Sequence, residues 1–232
     1  MSSNLLVVSE DGLVLKVGNL SIGLIAQAAG IVNALLRAAV AQKRDIRLNL
    51  YDIIDLRMLS GLIGEMLSTE ICKLEKRLYK NPNIDGYPDL CDISRPGTAA
   101  LVKTLSLSNF LSYDDGGFEV KNTFGVKKQN THIAAREVRL LKIQKRLVWK
   151  AHHRETNNLI AIHSDYIDGI PQIIAGFFSD KLTEVDWTAK QQPKDGSTMT
   201  SFCQTTPEAF EKLKSGLNFY MKDIGYEPFI ND

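Results

Sequence analysis

Three residues have types and spacing that suit phosphate chemistry. Pro88-Asp89 stands where a loop gives way to an apolar run. Glu119-Val120-Lys121 follows thirty residues later, directly after Gly116-Gly117-Phe118. Side chains i and i+2 of a strand project from one face. Glu119 and Lys121 are therefore expected to point together, with the Val120 side chain turned into the core. Asp89 on a neighbouring strand completes a cluster of two carboxylates and one ammonium. Hard oxygen donors of this kind suit Mg²⁺, which takes few protein carboxylates and keeps waters and phosphate oxygens. A metal there polarises a scissile phosphate and lowers the pKa of a bound water. Lys121 is expected to orient or help deprotonate that water and to offset transition-state charge. A neighbouring metal would press its pKa down, a condition for acting as a base. Each residue also has a plainer reading. Asp89 suits a turn after Pro88, and Glu119 and Lys121 suit the solvent face of an edge strand. Asp114 and Asp115 read as turn residues and are the rival acids if the register differs.

Charge is segregated along the chain. Lys and Arg total 28 against 27 Asp and Glu, a net charge of +1. Residues 120–154 nevertheless hold ten basic residues and one acid, Glu137. The flanking segments are both net acidic. A basic band inside a neutral protein is an electrostatic footprint for a polyanion, and a solvated helix face is its bland alternative. Lys127, Lys128, Lys142, Lys145 and Arg146 suit phosphate contacts that position a duplex. Asn122, His152, His153, Arg154, Thr156, Asn157 and Asn158 are types that contact bases or phosphates, and are also ordinary loop residues. Lys190, Gln191, Gln192, Lys194 and Ser197 lie in a polar stretch that suits a surface loop, placed where loops carry binding residues.

Several elements must position these residues. Residues 5–19 read as a hairpin about Glu10-Asp11-Gly12. Residues 20–42 read as an Ala-rich helix whose small residues permit close packing, including against a second subunit. Tyr51–Tyr79 has strong helical periodicity, with a break expected near Leu59-Ser60-Gly61. Leu101–Leu107 and Phe118–Val120 read as strands. Thr131–Lys150 reads as a long helix carrying most of the basic band. Thr156–Tyr166 and Gln172–Phe178 form a hairpin about Asp168-Gly169. Pro207–Lys222 reads as a final helix with Pro207 at its first position. Trp149 and Trp187 suit core anchors.

This pattern predicts an α/β (α+β) fold with a central mixed sheet flanked by helices. The length of 232 residues suits one domain, residues 1–232, whose first 58 or so residues suit dimerisation or DNA contact. Hydrophobic residues make up 44% and charged residues 24%, which excludes disordered and coiled-coil classes. Three separated cysteines without a CxxC pair give no support to a zinc ribbon and suit a reducing compartment. No uninterrupted run of 18 apolar residues appears, so no membrane span is expected. MSSNLLVVSEDG lacks a basic stretch before its apolar residues, so no signal peptide is expected.

The pattern Pro88-Asp89 … Glu119-Val120-Lys121 resembles the PD-(D/E)XK nuclease superfamily, the fold of most type II restriction endonucleases. Gly61-Leu62-Ile63-Gly64-Glu65 is similar to the helix that often adds an acid to that site. The segment Val148–Leu159 resembles stretches of some type II restriction enzymes. The resemblance covers roughly residues 60–160. It implies a restriction-endonuclease-like core and catalytic roles for Asp89, Glu119, Lys121 and Glu65. It also implies Asp89, Glu119 and Val120 as the Mg²⁺ set, with Mn²⁺ as a substitute. Double-stranded DNA is the implied substrate, cut to 5′-phosphate and 3′-hydroxyl ends. A homodimer is implied because a twofold protein matches a palindromic site, working in a prokaryotic cytoplasm. The alternatives are a repair or junction-resolving nuclease of the same superfamily, and a non-catalytic DNA-binding relative.

Overall fold

The structure is a computed structural model. It describes residues 5–8, 13–21, 23–41, 51, 54–83, 86–106, 113–124, 147–152, 154, 156–192, 195 and 201–222. The strands are β1 (Leu5–Val7), β2 (Leu13–Val14), β3 (Asn19–Leu20), β4 (Leu78–Lys80), β5 (Leu90–Asp92) and β6 (Gly117–Phe124). They continue with β7 (Lys150–Ala151), β8 (Leu159–Ile167), β9 (Ile170–Ser179), β10 (Cys203–Gln204) and β11 (Leu217–Met221). The helices are α1 (Gly23–Ala41), α2 (Leu56–Leu74), α3 (Thr98–Val102) and α4 (Pro207–Ser215).

Seven strands form one sheet in the order β1-β11-β9-β8-β6-β5-β4. β6 and β8 run parallel, and the other neighbours run antiparallel. The chain is thus a mixed α/β protein with a central mixed sheet flanked by helices, as expected. The β8–β9 hairpin turns at Asp168 and Gly169, with φ of 51° and 74°. Asp-Gly tolerates positive φ at both turn positions, which matches the twist of the flanking strands.

Strand alternation separates two cores. Phe118, Val120, Ile160, Ile162 and Ile173 pack with Leu59, Ile63 and Leu67 of α2 and with Ile25, Ala28 and Val32 of α1. Leu159, Ala161, Ala175 and Phe177 point the other way. They pack with Trp149, Trp187, Phe210 and Leu213. Both tryptophans are core anchors, as expected.

Several expectations need correction. Leu5–Val7 pairs with Met221–Phe219, and the first hairpin joins β2 to β3 instead. The small residues Ala26, Ala28 and Ala29 of α1 are buried within this chain's own core, while Ala34, Ala38 and Ala39 lie outside it. By length and composition α1 is also apolar enough to cross a membrane, although no span is expected from its interrupted apolar run. α2 runs unbroken through Gly61 and Gly64. Burial of Leu59, Ile63, Leu67 and Ile71 along one stripe outweighs about 1 kcal/mol of helix propensity lost at each glycine. It ends at Leu74, and Leu78–Lys80 is a strand paired with β5.

Part of the Leu101–Leu107 strand is replaced by α3, which buries Val102 against Cys91 and leaves Leu101 exposed. The final helix stops at Ser215. β11 follows and wedges Phe219 against Gly176, where any Cβ would lie 2.3 Å from the ring. The expected helix Thr131–Lys150 lies mostly outside the described residues. Its last residues are not helical, and Lys150 belongs to β7.

Candidate active site

Two neighbouring strands bring the proposed cluster together. Asp89 lies just before β5, and its ladder position faces Glu119 on β6, one step beyond the Leu90–Phe118 pair. The approach requires glycine at 117. Its φ is 152°, and a Cβ there would lie 1.8 Å from the Leu90 carbonyl oxygen. Asn81 fixes the other flank. Its backbone N–H donates to the Asp89 carbonyl at 2.9 Å, and its side-chain amide donates to the Pro88 carbonyl at 2.9 Å. The Tyr87–Pro88 peptide is cis.

Glu119 and Lys121 leave β6 on one side, and Val120 is buried on the other. Lys121 Nζ stands 2.5 Å from Glu119 Oε1 and 3.5 Å from Asp89 Oδ2. The Val120 N–H donates to Asp89 Oδ2 at 2.8 Å. The Asp89 N–H donates to Glu119 Oε2 at 3.3 Å. The expected i, i+2 projection and the convergence of Asp89, Glu119 and Lys121 are both present.

The electrostatics are uneven. The Glu119 side chain is 5% exposed, against 21% for Lys121 and 26% for Asp89. Burial, the largest cause, raises the Glu119 carboxyl, Lys121 pulls it down and Asp89 pushes it up, which leaves it at about 7. Burial opposes the Lys121 ammonium, but Glu119 and then Asp89 outweigh it and raise its pKa above the ordinary lysine value. Two carboxylates and one ammonium leave the ionised cluster one charge negative.

This donor set fits a small divalent cation. Two carboxylates and waters match the needs of Mg²⁺, and a cation would favour the ionised form of buried Glu119 and part-exposed Asp89. The side chain of Val120 offers no donor and its N–H is taken by Asp89, so only its carbonyl could join. Among the described residues no group of three His, Cys, Asp or Glu side chains forms a metal-binding cluster.

Glu65 is engaged by a different residue. It lies exposed on α2 and pairs with Lys80 Nζ. Glu65 and Asp89 both line one cavity of about 660 Å³. The helix packs on the sheet face that buries Val120, away from the face that carries Glu119 and Lys121. The rival acids are engaged elsewhere or exposed. Asp115 is buried against Arg95, and Asp114 lies exposed in the turn.

The DNA-contact candidates divide. Asn122 accepts from Ser164 Oγ at 2.8 Å, and its carbonyl accepts from Ser60 Oγ at 2.8 Å, so it ties β6 to β8 and α2. Thr156 is buried, with its carbonyl accepting from Trp187 Nε1, and cannot reach a duplex from there. Arg154 pairs with Glu184 at 2.9 Å. His152 and Asn157 are exposed, as are Lys190, Gln191 and Gln192. Gln191 bridges to Phe202 beside the β7–β10 ribbon. That ribbon packs on the same sheet face as Glu119 and Lys121. Lys127, Lys128, Lys142, Lys145, Arg146, His153, Lys194 and Ser197 lie outside the described residues.

Sequence reasoning missed Lys80 and Asn81. Asn81 belongs to an Asn-Pro-Asn turn that precedes Pro88-Asp89, and that turn was the available signal. Asn158, a base-reading type by sequence, instead accepts from the Glu119 N–H at 2.9 Å and donates to the Gly117 carbonyl at 3.2 Å. The chain matches no family model, no curated protein and no solved structure.

Proposed function

We propose that this chain is a metal-dependent nuclease of the PD-(D/E)XK type, with a restriction-endonuclease-like core. In this reading it is a type II site-specific endonuclease acting on double-stranded DNA. The observation that carries it is the meeting of Asp89, Glu119 and Lys121 at adjoining strand positions.

Asp89 and Glu119, with the Val120 carbonyl, would hold Mg²⁺ or Mn²⁺. The bound ion supplies Lewis-acid polarisation of the scissile phosphate and a water of lowered pKa. Lys121 stays protonated at neutral pH in the protein alone, because both carboxylates favour its charge. With the ion bound, Lys121 would orient or help deprotonate the attacking water and offset charge building on the phosphate. The Val120 N–H holds Asp89 in place, and Gly117 and Asn158 hold the strand that carries Glu119. The products are a 5′-phosphate and a 3′-hydroxyl. His152, Arg154, Lys190, Gln191 and Gln192 then belong to a DNA-facing ribbon. A homodimer in a prokaryotic cytoplasm completes the reading.

The test is a digest of long DNA of known sequence, with Mg²⁺ or EDTA, on unmodified and methylated substrate. Discrete Mg²⁺-dependent fragments are expected. A smear would instead assign the chain to a non-specific or structure-specific nuclease, and no cleavage on any substrate would contradict the proposal.

A further inference from the structure

The cavity beside Asp89 holds a cation that the carboxylate cluster does not use. Lys80 sits in β4 opposite Leu90, one residue from Asp89 along β5. The next residue, Asn81, is bonded to both Pro88 and Asp89, so the Lys80 backbone is fixed relative to Asp89. Its ammonium pairs with Glu65 and donates to Thr69 Oγ1 at 3.4 Å. Lys80, Lys76, Glu65 and Asp89 line the same cavity of about 660 Å³. The Lys80 side chain is 40% exposed, so its charge stays accessible from solvent. By register Lys80 and Glu65 both stand on the sheet face opposite Glu119 and Lys121, and the cavity joins them to Asp89; the Glu65 carboxylate is already engaged by the Lys80 ammonium.

We propose that Lys80 is the phosphate-binding cation of a second subsite, which takes a further phosphate of the bound DNA in the cavity it shares with Asp89. Glu65 positions that ammonium and is not a ligand of the metal. The inference rests on the nuclease reading for the identity of the strand. A flexible ammonium serves as a point charge for phosphate. Glu65 restricts its search, and Asn81 ties its strand to the Asp89 loop.

The test measures binding of a duplex of arbitrary sequence across a salt series, with Ca²⁺ in place of Mg²⁺ so that no strand is cut. Lys80→Gln should bind several-fold more weakly at low salt. Its log–log salt slope should be shallower by about one, because one phosphate fewer is neutralised. Lys80→Arg keeps the charge and should restore the slope. Calorimetric Mg²⁺ affinity of Glu65→Gln should equal that of wild type. Wild-type affinity and slope in Lys80→Gln would overturn the subsite. Weakened Mg²⁺ binding in Glu65→Gln would return Glu65 to the metal set and overturn its positioning role. A wild type that binds DNA with the expected Lys80 dependence but never cleaves would sink the nuclease reading and leave the phosphate subsite standing. A wild type with no affinity for DNA would overturn both.

Discussion

Glu119 carries the sharpest consequence of burial in the site. Its carboxyl is raised to about 7, chiefly because the side chain is buried, with Asp89 adding to the effect against Lys121. A metal binds the ionised carboxylate, so protons compete with it. Mg²⁺ affinity should therefore fall as pH drops through about 7, and hold steady well above it. In Glu119→Gln that pH step should vanish along with most of the affinity. Calorimetric titration at several pH values reads both effects, and a pH-independent wild-type affinity would remove Glu119 from the metal site. Gly117 makes a second prediction at this scale. Alanine there would place a Cβ 1.8 Å from the Leu90 carbonyl oxygen at a φ that L residues rarely adopt. Gly117→Ala should lower the denaturation midpoint and also disable the site, because β5 and β6 must separate. A variant with wild-type stability would contradict the close approach.

Asn33 shows how an element is fixed to the sheet. It lies buried on α1, accepts from the Ile173 N–H at 2.7 Å and donates to the Ile173 carbonyl at 2.9 Å. The β8–β9 register shifts between His163 and Ser164, opposite this point, so the helix supplies what the ladder does not. Asn33→Ala leaves two buried backbone groups without partners and should cost roughly 2–4 kcal/mol. Chemical denaturation measures this, and a loss below about 1 kcal/mol would contradict it. The same scale explains what is legible in the sequence. β8 and β9 are readable because β-branched runs flank Asp168-Gly169, a local turn signal. Asp89, Glu119 and Lys121 are readable because the period of two in a strand fixes which side chains meet. Leu78–Tyr79 and Leu217–Met221 read as helix and fold within strands. Each is a short apolar stretch whose state depends on partners distant in sequence, Leu90–Asp92 for one and β1 and β9 for the other. The Lys80–Glu65 pair is hidden for the same reason, since it needs β4 folded back onto α2.

Across the whole molecule, the second core is fastened by Asp186. Burial raises its pKa, but Lys212 Nζ at 2.7 Å and the Thr183 N–H at 2.7 Å outweigh it and leave the pKa below the ordinary value. A depressed carboxylate adds stability above its unfolded pKa of about 3.9 and loses it as pH falls through the folded value. Asp186→Asn should thus be less stable than wild type near neutral pH, with the gap closing below about pH 4. Thermal melts across pH check this, and a gap that persists in acid would contradict it. The β7–β10 ribbon belongs to this core and shares the sheet face of Glu119 and Lys121. It thereby joins the second core to the proposed DNA-facing surface. In the proposed nuclease, Lys121, held between two carboxylates, serves phosphodiester hydrolysis. The most direct test compares wild type and Lys121→Ala on the same long DNA with Mg²⁺, after circular dichroism shows both folded. Mg²⁺-dependent cleavage by wild type and none by the variant is the predicted result. Equal cleavage by the two, or none by wild type, would contradict it.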